Sequence, residues 1–435
     1  MSDVLTPPET HSVGNAGGHR GELHSPHARR ILLFAITLSV ITYIDRVAMS
    51  QAAPFVAREF ELSRIEVGWI FSAFSLAYAL FEIPGGWMGD RFGARPVLMR
   101  IVLWWSFFTA ATGWAWNYSS LLVCRFLFGA GEAGCYPTIS KLFQTWLPPD
   151  QRARAQGYMW LSSRWAGAFT PLLALWLINL VSWRFAFLVF GILGLLWALS
   201  FWLGYRPSQQ AVAGSMIAPA ETHSLPWKRV FRSPTALLLF AQYFAVSWGW
   251  SFYITWLPTY VLEGRGTTEW QSGLLATLPL FFGGFGCLAG GLLIPVLARR
   301  SNRGAARGIL GATGCLLAGL LLLVSLFIQD AVGALVVIAL ASFSNDLALA
   351  PAWDACSDAG GPWTGSVSGA MNMIGNFAGF LAPAVIGYAL TWSNQNWAWA
   401  FMLSAGFYVL GCAAWLGIRA RGSKDFFIEP SSQTN

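Results

Sequence analysis

The sequence predicts an all-α integral membrane protein with twelve transmembrane helices in two parallel-related six-helix halves. Three observations lead there. Of the 435 residues, 55% are hydrophobic and only 11% charged, less than half the charged share usual in soluble domains. Twelve spans of roughly 20 residues need about 240 residues, close to the apolar total. The 27 Lys and Arg residues are also unevenly placed. With both termini on one side, Arg58, Arg64, Arg184 and Arg265 face the other side and Arg46, Arg125 and Arg164 lie within spans, leaving the rest on the inner face. That bias predicts cytoplasmic termini in a cell (inner or plasma) membrane.

The first half begins with a polar, Gly/His-rich tail over 1–29, which has no apolar signal core and is expected to be disordered. Apolar runs then predict spans at 31–51, 67–88, 97–116, 119–141, 154–180 and 184–205, making a bundle over 30–205. Pro207, Pro226 and Pro234 punctuate a polar linker at 206–234. The second bundle, 235–418, holds spans at 235–261, 270–297, 305–328, 331–352, 362–391 and 397–417, before a tail at 419–435. The net charge of +7 sits in short clusters between apolar runs, which marks topology and not a nucleic-acid surface. The six cysteines lack paired spacing, so no disulfide framework or zinc site is expected.

The third observation is internal repetition. Ala166-Gly-Ala-Phe-Thr-Pro171 in the fifth span matches Ala378-Gly-Phe-Leu-Ala-Pro383 in the eleventh. Trp183 to Phe187 matches Trp397 to Phe401, and Tyr43-Ile44 matches Tyr253-Ile254, all at an offset near 212. Six spans separate each pair, so the copies share one orientation. Parallel repeats with Gly/Pro-interrupted helices in matching places predict a transporter with its site between them.

Ionisable residues at membrane depth mark that site. A charge at a helix centre costs about 2.5–3.5 kcal/mol, and six lie well inside the spans: Asp45, Arg46, Arg125, Glu132, Arg164 and Asp346. Left alone they would cost roughly 15–20 kcal/mol, so they must face one another or a wet cavity. Arg125 and Glu132 are two turns apart on one face, thinned by Gly129 and Gly131. Asp45 and Arg46 point about 100° apart, so one looks into a central cavity and the other toward a neighbouring helix. The histidines fall outside the spans and no lysine lies deep within one, so a proton relay must use carboxylates, with Asp45 and Glu132 the natural pair. Burial favours the protonated acid and a nearby arginine the carboxylate, so an anionic substrate that competes for the arginine couples itself to a proton.

Gly86-Trp-Met-Gly-Asp90-Arg91-Phe-Gly93-Ala-Arg95 resembles the Gly-x3-Asp-Arg-x-Gly-x-Arg signature of the major facilitator superfamily. The resemblance implies that superfamily's fold and makes Asp90 and Arg91 gating residues on the cytoplasmic side. The corresponding loop of the second half, Gly290 to Arg300, lacks the acid. Across roughly 30–418 the chain is most similar to the anion:cation symporter family, which includes bacterial sugar-acid transporters. The similarity is carried by Tyr43-Ile-Asp45-Arg46, by Arg125 to Glu132 with Pro137, by Tyr253 to Tyr260, by Trp353 and Asp358, and by Gly365 to Asn376. It implies that Arg46 contacts the substrate carboxylate, that Asp45 and Glu132 carry protons, and that Arg125 is their charge partner. Tyr78, Asn372 and Asn376 fall where hydroxyl-binding residues are expected, and Tyr43 and Tyr253 join them in the substrate site. Ser163-Arg164 stands where some sugar-acid members carry glutamine, which could favour a second carboxylate.

The expected function is import of an organic anion, such as a hexuronate or aldonate, with protons as coupling ion and no cofactor. The protein is expected to work as a monomer in the lipid bilayer, without nucleic acid. Exchange or export without proton coupling is the alternative, with Glu132 as a fixed partner. A receptor would need an output domain and a membrane enzyme a His or Cys constellation, neither of which the sequence offers.

Overall fold

The computed structural model describes residues 26–205 and 227–421. Most of the expected tails and of the linker (1–25, 206–226 and 422–435) lies outside the described residues. The described residues form twelve helical rods: α1 (Pro26–Glu59), α2 (Arg64–Phe92), α3 (Ala94–Gly113), α4 (Tyr118–Glu132, continued by Cys135–Trp146), α5 (Pro149–Leu180) and α6 (Trp183–Gly204). After a single turn at Trp227–Val230 come α7 (Pro234–Thr255), α8 (Glu269–Leu275, continued by Thr277–Ala298) and α9 (Arg303–Ser325). The last three are α10 (Ala331–Leu347, continued by Leu349–Gly360), α11 (Thr364–Trp392) and α12 (Ala398–Arg421).

Local chemistry sets the helix starts. Ser63 with Glu66, and Asn117 with Ser120, form reciprocal capping boxes at α2 and α4. Asn302 and Asp330 cap α9 and α10, and prolines open α5 and α7, where a missing N–H is harmless. The repeated Pro171 and Pro383 fall inside α5 and α11 at matching places.

Some helices differ from the apolar runs. The fourth is broken just after Glu132, where Gly134 takes φ +81°, a left-handed turn that suits glycine. The tenth continues past the expected end at 352 to Gly360, because the amphipathic segment carrying Asp354 and Asp358 stays helical. Among the described residues, eight stretches are long and apolar enough to cross a membrane, one of them running through α10 and α11. The shortfall is at α3, α4 and α5, where the fourth and fifth carry Arg125, Glu132 and Arg164.

Packing repeats with a shift of six helices. In the first set α1 lies on α5 and α6, α2 on α4, and α3 on α4 and α6. In the second, α7 lies on α11 and α12, α8 on α10, and α9 on α10 and α12. The sets meet along two seams, α2 against α11 and α5 against α8. This is the parallel-repeat architecture that the sequence predicts.

Candidate functional site

Asp45 and Arg46 diverge as helical geometry requires. Arg46 turns inward, with its side chain 20% exposed, while Asp45 is 1% exposed. Arg46 donates from Nε to Oε1 of Glu132 at 2.6 Å, and its guanidinium lies over the ring of Tyr78, 4.3 Å from the centroid. Tyr43, Phe74 and Tyr136 complete the aromatic collar around it. One terminal nitrogen, Nη2, has no partner. Such a group is a strong anion receptor, because its planar fork matches a carboxylate.

Asp45 has both carboxylate oxygens buried, with the Thr109 hydroxyl beside them, and sits toward Arg125 and Glu132 without an ion pair to either. Arg125 lies over Phe74 and Phe128, 5.0 and 4.5 Å from their centroids, with its Nε unpartnered. Arg46, and not Arg125, is thus the direct partner of Glu132, although the helical spacing of Arg125 and Glu132 had made them the nearer pair in sequence.

Arg164 and Asp346 form a second ion pair, from α5 to α10. Nε and Nη2 of Arg164 donate to the two carboxylate oxygens at 2.6 and 2.9 Å. Nη1 donates to the Tyr43 hydroxyl at 3.1 Å, and the guanidinium stacks on Trp250. Asn345 donates to Asp346 and accepts from Tyr408, and Tyr253 is buried beside this network. Tyr43 therefore touches both guanidinium groups, Arg46 with its ring and Arg164 with its hydroxyl.

Across the α2–α11 seam, the amide nitrogen of Asn372 donates to Glu82 Oε1 at 2.8 Å and reaches the Tyr78 hydroxyl at 3.3 Å. Asn372 Oδ1 accepts from Tyr243 at 3.3 Å. Asn376 is one turn away and donates to the Asn372 carbonyl. Tyr136, Trp160, Trp353 and Tyr243 form an aromatic floor, with Tyr136 stacked on Trp160 at 4.6 Å and Trp353 5.5 Å from Trp160.

Below that floor one end of the molecule is shut. Asp90 accepts from the backbone N–H groups of Gly365 and Ser366 at 2.8 and 2.7 Å and from the Ser366 hydroxyl at 2.8 Å. A carboxylate at the first turn of α11 is favoured by the helix dipole as well. Gly86 and Gly365 pack backbone to backbone, so that a Cβ on either would collide with the other's carbonyl. The Ser140 and Ser357 hydroxyls meet at 2.8 Å, and Gln144 donates to the carbonyls of Ser357 and Gly361. Arg91 is exposed and lies over Trp87 and Phe92, so Asp90 alone of the predicted pair makes the closing contact.

Three features escaped the sequence reading. Glu82 is fully buried at membrane depth. It sits beside Pro84-Gly85-Gly86 near the end of a span and reads as leaving the bilayer, though its place one turn after Tyr78 could have shown it. The aromatic floor has no spacing signal. The third is a charge cluster in which Asp354 pairs with Arg303 and Arg307, and Asp358 with Arg307 and, at 3.6 Å, with Arg152 of α5. It ties the two sets of helices at the shut end without an acid in the α8–α9 loop.

A profile of the Major Facilitator Superfamily matches residues 35–383. The chain is 35% identical to the probable sulfoacetate transporter SauU of Cupriavidus necator, over 87% of this chain and 90% of that one. It is 30% identical to the hexuronate transporter of Bacillus subtilis, over 88% and 93% of the two chains. The D-galactonate transporter of Escherichia coli is also 30% identical, over 83% and 90%.

Proposed function

The chain belongs to the Major Facilitator Superfamily, and we propose that it imports a small organic anion, most simply a sugar acid such as a hexuronate or aldonate, together with protons by alternating access. It is a multi-pass membrane transporter and not an enzyme, related to transporters of sugar acids and other organic anions. We further propose cytoplasmic termini, a cell-membrane location and a monomeric working unit. We also assign 30–205 and 235–418 as the two moving bodies.

The observation that carries this reading is the state of Arg46. It is held by a single carboxylate bond, its side chain is one-fifth exposed, and its buried Nη2 has no partner. An arriving carboxylate can take the guanidinium from Glu132. Glu132 is fully buried, and a buried carboxylate without its cation is costly, so it takes up a proton. Asp45, in a similarly buried position near Arg125, carries a second proton. Tyr43, Tyr78 and Asn372 supply hydroxyl and amide groups for the substrate's own hydroxyls, with Asn376 and Tyr253 in support. Asp90 and Arg91 belong to the gate. In this conformation Arg164 is committed to Asp346 and Tyr43, which favours a monoanion.

A second reading has one specific support. One guanidinium group lies over the Tyr43 ring and the other at its hydroxyl, an arrangement that suits a short dianion, and one relative is named for sulfoacetate. Uptake of D-glucuronate, D-galactonate and sulfoacetate into liposomes, with and without an inward proton gradient, separates these readings. Symport predicts that Glu132→Gln loses gradient-driven accumulation yet keeps counterflow exchange. A wild-type flux indifferent to the gradient would leave exchange or export instead.

A further inference from the structure

Glu82 changes the charge balance of the membrane core. Among the described residues four carboxylates at this depth, Asp45, Glu82, Glu132 and Asp346, meet three guanidinium groups. Arg46 is bonded to Glu132, Arg164 to Asp346, and Arg125 lies toward Asp45 and Glu132. No cation is left within hydrogen-bond reach of Glu82. Its Oε1 accepts from Asn372, and its Oε2 is buried without a partner.

The surroundings of Glu82 are otherwise weakly polar. Tyr78 faces it from its own helix with its hydroxyl in hydrogen-bond reach of the carboxyl, and Asn372, with the Tyr243 hydroxyl behind it, faces it from across the seam. Arg46 and Glu132 act on it through charge without a hydrogen bond, and Cys135 lies within the same field. An ionised carboxylate with one oxygen bare and no adjacent cation is costly in such a place, whereas the neutral acid is not. The seam around it is closed by the Gly86–Gly365 contact and by Asp90, two turns further along α2.

We infer that Glu82 holds a proton while the α2–α11 seam is closed and gives it up to water when the seam opens, so that it is a third proton carrier beside Asp45 and Glu132. When the helices part, the O–H bond on Oε2 breaks, water takes the proton, and the carboxylate is left hydrated. Closure reverses the step, because Asn372 returns to Oε1 and water is expelled from Oε2. Asn372 thereby links the carrier to the position where substrate hydroxyls are expected. The coupling part of this inference rests on the symport reading above, but the protonation of Glu82 does not.

Infrared difference spectroscopy of the purified full-length protein tests it without any substrate. At neutral pH the wild type minus Glu82→Gln spectrum should contain the carbonyl stretch of one protonated carboxylic acid. In liposomes, the proton-to-anion ratio from reversal potentials, with sulfoacetate and D-galactonate as probes, should fall by one in Glu82→Gln. A difference spectrum showing only a lost carboxylate band, or an unchanged ratio, overturns the inference. If Glu82→Gln does not fold, Asn372→Leu removes the donor to Oε1 and should shift the same acid band without abolishing it. A band that does not move counts against the assignment. A wild-type flux indifferent to pH ends the symport reading and leaves the infrared result to be read by itself.

Discussion

Arg46 on α1 reaches Glu132, the last residue of the first segment of α4, with Nε and Oε1 2.6 Å apart. The bond lies immediately before the Gly134 turn that breaks α4. The residue proposed to bind the anion and the residue proposed to take the proton are therefore joined in one contact.

Replacing Arg46 by lysine keeps the charge but loses the planar fork. A hydrogen bond to a charged group contributes about 1.5–3 kcal/mol. Arg46→Ala should then bind its anion about 10- to 100-fold more weakly, with Arg46→Lys between it and the wild type. Thermal-shift titrations with D-glucuronate, D-galactonate and sulfoacetate measure this. Ligands that stabilise wild type and Arg46→Ala equally would contradict the assigned role of Arg46.

The Ser140 and Ser357 hydroxyls meet across the two helix sets at the shut end. Cysteines at both positions, in a background without the six native cysteines, should form a disulfide under mild oxidation. Flux should stop on oxidation and return on reduction, as expected for a contact that must separate in each cycle. Undiminished flux in a fully cross-linked sample would show that this end need not open.

The Arg164–Asp346 pair is buried, with side chains 4% and 0% exposed. Removing one member of a buried pair costs about 3–5 kcal/mol, whereas replacing both by apolar groups is often neutral. Arg164→Met and Asp346→Leu should each lower the melting temperature in detergent, and the double variant should recover most of the loss. A double variant as unstable as either single one would show that the pair's other contacts, Tyr43 and Asn345, dominate.

Much of this was legible in the sequence because charge in an apolar run is conspicuous. Asp45, Arg46, Arg125, Glu132, Arg164 and Asp346 announced themselves that way, and the repeated Gly/Pro motifs gave the pairing of halves. Who bonds to whom was not legible. Glu132 finds a partner 86 residues earlier and Arg164 one 182 residues later, and such choices are made by helix packing. Glu82 was hidden by the Pro84-Gly85-Gly86 run beside it, and Asp354 by an amphipathic segment that an apolar-run reading ends too early.

The Arg164–Asp346 bridge has one more consequence. It joins a helix of the first set to one of the second near mid-depth, whereas the closing contacts at Asp90 and Ser140 lie far toward one end. A two-pronged bridge tolerates swivelling far better than stretching. Under the proposed rocking of the two bodies, the motion that keeps it made turns them about it, so that the bridge serves as a fulcrum.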